Sequence, residues 1–157
     1  MARALNRDQS PIYKETEKTA VQKVTLTLGA ALIITGFAGA ILPGAFGMHL
    51  SMTHNFVHIV SGAIALWFGS FSSSRAFNYC LIFGAFYAVV GIMGFLIGIP
   101  GYPTVGNMEA DQNLVRVIPN ILEIGTMDHI VHFIIGTFLL FTAYTFRKDR
   151  NPRGNKT

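Results

Sequence analysis

Residues 24–74 read VTLTLGAALIITGFAGAILPGAFGMHLSMTHNFVHIVSGAIALWFGSFSSS, a stretch without Asp, Glu, Lys or Arg. Its reading decides the fold. A helix facing water keeps a polar face, and a run this long without charge offers none. A second charge-free run covers residues 76–108. A bilayer crossing takes about 20 mainly apolar residues, so each run is long enough for a span and a turn. Isolated spans in lipid must be helices, because each backbone N–H and C=O has to find its partner within the segment. The sequence therefore predicts an all-α integral membrane four-helix bundle with spans at about 21–42, 52–71, 76–98 and 127–146. Pro43-Gly44 ends the first, Ser72-Ser73-Ser74-Arg75 forms a polar turn after the second, and Ile99-Pro100-Gly101-Tyr102-Pro103 stops the third.

The rest of the 157 residues supports this plan. About half are apolar, at 51%, and the mean hydropathy is +0.44. The net charge of +4 is no mark of a nucleic-acid partner, because the positive residues gather in the tails. Residues 1–20 form a polar tail carrying Asp8, Glu15 and Glu17, unlike a signal peptide. Residues 147–157 form a basic tail. Cys80 is the one cysteine, so no disulfide can form within the chain. Trp67, Tyr79 and Tyr144 fall toward the cytoplasmic ends of spans and fit an aromatic belt.

Lys and Arg set the orientation. The N-terminal tail has Arg3, Arg7, Lys14, Lys18 and Lys23, the second connection Arg75, and the C-terminal tail Arg147, Lys148, Arg150, Arg153 and Lys156. Against these eleven, the other two connections carry Arg116 alone. Both termini are thus expected in the cytoplasm of a bacterial inner membrane. The outer loop 99–126 contains an apolar segment, 113–124, broken by Pro119; it is expected to lie on the membrane surface or to cap the helices. Glu109, Asp111 and Glu123 read as solvated loop charges.

The chain looks duplicated. Gly29, Gly36 and Gly39 match Gly84, Gly91 and Gly94 at one offset; His58 and Gly62 match His132 and Gly136 at another. The longer outer loop of the second half absorbs the difference. Each half is then a glycine-bearing helix followed by a histidine-bearing helix, two pseudo-repeated hairpins about an axis along the membrane normal. The glycines either let helices pack closely or, at Gly36 and Gly91, leave room for a flat cofactor.

All five histidines, His49, His54, His58, His129 and His132, fall in the outward half. His54 and His58 share one helical face, as do Asp128 and His132. Three chemistries suit this pattern. The groups can tie the hairpins together by hydrogen bonds. His58 and His132 can serve as axial ligands of a b-type haem, as in a redox protein. His54, His58, Asp128 and His132 can hold a transition-metal ion for binding or transport, with Met48, Met52, Met108 and Met127 as nearby soft donors. A solvent-facing proton relay is a fourth use. No serine or cysteine nucleophile has a matching base, since Cys80 lies at the opposite side from the histidines. The reading is a non-enzymatic membrane protein, a homo-oligomer or an accessory subunit of a membrane complex, with a His/Asp cluster that is structural or ligand-binding.

Residues 53–58 (THNFVH) with Gly62, Arg75, Tyr87, Gly91, and residues 127–132 (MDHIVH) with Gly136 carry a family resemblance. In these the chain resembles the DUF4383 family of small bacterial four-helix membrane proteins, over about 21–146. The resemblance implies four spans and a family pattern at His58, Asp128 and His132. It implies no substrate or reaction.

Overall fold

The computed structural model describes residues 17–104 and 109–150, with side chains to residue 148; the tails 1–16 and 151–157, and Met108, lie outside the described residues. Four long helices dominate: α1 (Ala20–Ile41), α2 (Met52–Phe71), α3 (Ser73–Ile97) and α4 (Thr126–Thr145). α1, α3 and α4 are each long and apolar enough to cross a membrane. α2 has the length, at 20 residues, but its Thr, His, Asn and Ser residues make it less apolar.

The turn between α2 and α3 is tighter than residues 72–75 suggested. α3 begins at Ser73, because the Ser72 hydroxyl accepts from the Arg75 N–H at 3.3 Å and caps the helix.

α1 pairs closely with α2, and α3 with α4; the two hairpins meet less intimately. Glycine sets the close approach. A Cβ at Gly62 would lie 2.6 Å from the Gly29 carbonyl oxygen, so only a bare backbone fits there. Burial differs from that of a water-soluble domain, although Val21, Tyr79, Cys80 and Leu139 form an apolar core. Thr25, Asn55, His54, His58, His132 and Thr142 are buried, while Ile34, Phe37, Ile82, Phe86, Ile134 and Phe141 are exposed. An apolar surface with polar groups buried beneath it suits hydrocarbon surroundings.

The expectation of an all-α fold needs correcting. The loop 99–126 forms a three-stranded antiparallel sheet, β1 (Ile99–Gly101), β2 (Asp111–Ile118) and β3 (Leu122–Ile124), ordered β1-β2-β3. Pro119 opens the β2–β3 turn rather than breaking a surface segment. Asn120 has φ 66°, and the Ile121 N–H donates to the Ile118 carbonyl at 3.0 Å. Proline followed by a positive-φ asparagine is the pattern of a type II turn. Val115 then pairs with Ile124, and Arg116 with Glu123. Tyr79 belongs to no belt: it is wholly buried and stacks on Phe83 at 4.3 Å between ring centroids. Trp67 and Tyr144 are exposed at 55% and 68%, as belt residues would be.

Candidate functional site

The five histidines divide into two groups with different surroundings. His54 and His58 sit one turn apart at the start of α2, where the Ser51 hydroxyl accepts from the His54 N–H at 3.2 Å. Their rings lie 4.4 Å apart, and the His132 ring on α4 lies 5.9 Å from that of His54. All three are buried, and one ligand atom from each lies within 4.8 Å of the others. Among the described residues this is the one group of three or more His, Cys, Asp or Glu side chains arranged closely enough to share an ion.

The protonation pattern of His54 follows from its partner. His54 Nδ1 lies 2.9 Å from the His49 carbonyl oxygen, which can only accept, so Nδ1 carries the proton. This leaves Nε2 as the nitrogen that could meet a metal, the usual outer-shell arrangement of a metal-ligating imidazole. His132 is held by Tyr87, whose ring stacks on it at 5.4 Å with an interplanar angle of 8°. His58 Nδ1 and His132 Nδ1 are buried without a hydrogen-bond partner. Such atoms are uncommon in a folded interior.

His49 and His129 do different work. The His129 Nε2–H donates to the Asn113 carbonyl at 2.8 Å, and its ring packs against Gly94 and Phe95. His49 Nε2 meets Asp111 Oδ2 at 3.2 Å. His129 thus fastens β2 to α4, and His49 fastens it to the connection before α2. Asp128 stands apart from the three ligand atoms. Its Oδ2 accepts from the His49 N–H at 3.0 Å and the Gly125 N–H at 2.9 Å, which joins the connection between α1 and α2 to the start of α4.

Asp111 and Glu123 are not solvated loop charges; only Glu109 is exposed. Asp111 accepts the Thr126 hydroxyl at 2.6 Å, the Thr126 N–H at 2.9 Å and the Asn113 N–H at 2.8 Å. Burial alone would raise its carboxyl, but bonds from Thr126, Asn113 and His49 prevail and hold it at about 2. Glu123 is 1% exposed. It accepts from the Thr104 N–H at 2.7 Å and from Arg116 Nε at 3.1 Å. Burial works against its ionisation as well, yet these partners bring its carboxyl below the ordinary range.

A cleft of about 200 Å³ borders the triad. His58, His132 and Asp128 contribute polar atoms; Leu32, Phe46, Met48 and Ile135 form much of its apolar wall. Gly36 and Gly91 open no space into it. A Cβ at Gly36 would meet the Asn55 carbonyl oxygen at 2.8 Å, and one at Gly91 the Phe133 nitrogen at 2.6 Å. The room beside each is filled by the neighbouring helix.

No family model, no curated protein and no solved structure matches the chain.

Proposed function

We propose that this is a four-span, non-enzymatic membrane protein whose outward half holds a transition-metal ion between His54, His58 and His132. The observation that carries the reading is the convergence of three buried imidazole donors from both hairpins, all within 4.8 Å of one another. Donors sharing one ion at ~2.0–2.1 Å stand no more than ~4.2 Å apart, so binding would draw the rings slightly together. Neutral imidazole suits zinc, copper, iron and nickel. Asp128 serves as a support for the site rather than as a fourth ligand, because it stands outside the group of converging donors and its Oδ2 accepts from two N–H groups.

A haem between His58 and His132 fits less well. The bordering cleft of about 200 Å³ is below the roughly 300–1,000 Å³ of ordinary small-molecule pockets. His54 also crowds both rings.

The finer topology belongs to the same proposal: α2 crosses with the other helices, both tails are cytoplasmic, and the membrane is a bacterial inner membrane. The duplication gains support from two pairings. The offset that matches the glycine helices also matches Thr25 with Cys80, and these two side chains meet at 3.4 Å. The offset that matches the histidine helices pairs His58 with His132, both in the triad. Equivalent residues meeting in this way are what an axis between the hairpins would produce. Kinship with the DUF4383 family, and a place as a homo-oligomer or an accessory subunit of a membrane complex, complete the reading.

The test is zinc binding by the detergent-purified, metal-stripped protein and its His54→Ala, His58→Ala and His132→Ala variants. The expected result is one zinc per chain, with at least tenfold weaker binding in each variant and little change in His129→Ala. Equal binding by all five proteins would contradict the reading.

A further inference from the structure

Three buried imidazoles leave a metal incompletely coordinated. Structural zinc sites close with four protein ligands, whereas three-ligand sites keep a position for water or an added molecule. The direction of that position follows from the cleft. Of the triad, His58 and His132 line it and His54 does not, so the side of the centre away from His54 faces the cleft. The walls leading there are apolar: Leu32 from α1, Val131 and Ile135 from α4, and Phe46 and Met48 from the connection after α1. α1 and α4 are also far less closely packed than the helices within either hairpin. With Thr35 and Tyr87 as further lining residues, such a mainly apolar cleft accepts an apolar body.

We propose that the cleft binds a lipid-soluble molecule with an oxygen-donor head group, and that this head completes the coordination of the ion held by His54, His58 and His132. The inference rests on the metal reading above and adds its ligand class. The apolar walls select the body, and the open coordination position selects the head. His58, His132 and Asp128 all line the cleft, so polar side chains stand where the head arrives.

The experiment uses the full-length protein in detergent, loaded with Co²⁺, whose visible spectrum reports changes in coordination. Octanohydroxamic acid and acetohydroxamic acid share one oxygen-donor head and differ in the apolar body. The expected result is a spectral change with both, at least tenfold tighter with the octanoyl compound. Leu32→Phe and Val131→Phe each fill the cleft. Each should take up cobalt normally and lose most of the chain-length preference, while partition into the micelle is common to all three proteins. An equal response to the two acids, or an unchanged preference in both filled variants, overturns the inference and leaves the metal reading standing. A protein that takes up no cobalt overturns both.

Discussion

At the scale of single residues, the carboxylates of the three-stranded sheet carry as much structure as the histidines. Asp111 gathers the Thr126 hydroxyl and N–H, the Asn113 N–H and the His49 ring. Its carboxyl is held at about 2, below an unfolded value near ~3.9. A depressed acid stabilises the fold fully above the unfolded value and loses that contribution as pH falls through the folded one. Acid should therefore loosen the docked sheet between about pH 4 and 2, and Glu123, shifted in the same direction, adds to the effect. Asp111→Asn should cost ~1–2 kcal/mol near neutrality and flatten that part of a plot of thermal midpoint against pH. A variant with an unaltered acid profile would show that the bonds to Asp111 are not the source. Sequence alone read these carboxylates as solvated, because nothing local to Asp111 or Glu123 announces partners as far away as His49 and Thr104. The three histidines were legible as candidates from helical spacing. Sequence also left His49 and His129 out of the ligand set; that Asp128 stands outside it was not legible, since helix rotation and the course of the loop 99–126 decide it.

At the scale of elements, the helices follow directly from the uncharged runs, with ends within a few residues of those expected. The sheet did not, for a physical reason. Residues 113–118 are rich in β-branched side chains, and Pro119-Asn120 supplies a turn, but an apolar run interrupted by proline satisfies a broken surface segment equally well. The helix contacts give the sharper test of packing. At Gly91 a Cβ would lie 2.6 Å from the Phe133 nitrogen and 2.7 Å from the His129 carbonyl oxygen, both backbone atoms that cannot swing aside. Gly91→Ala should part α3 from α4 and cost about 1–3 kcal/mol, read as a lower thermal midpoint in detergent. Ala85→Leu, on the exposed side of the same helix, should leave the midpoint nearly unchanged. Equal midpoints for wild type and Gly91→Ala would mean that the close contact is dispensable.

At the scale of the whole molecule, exposed apolar helix faces surround an interior that holds both an apolar core and a histidine triad. The placement of that triad toward the outside rests on the Lys and Arg asymmetry. Thiol labelling in a Cys80→Ala background checks it. A membrane-impermeant maleimide should label Thr104→Cys in intact cells and Lys148→Cys only after permeabilisation. The opposite pattern would turn the protein over and put the triad on the cytoplasmic side. The central claim is that three imidazoles from the two hairpins share one ion. X-ray absorption of the zinc-loaded protein measures this most directly. The account predicts a four-donor shell near ~2.0–2.1 Å with outer-shell scattering from three imidazole rings, reduced to two in His132→Ala. A shell of oxygens with no imidazole scattering, or one unchanged by that substitution, would contradict it.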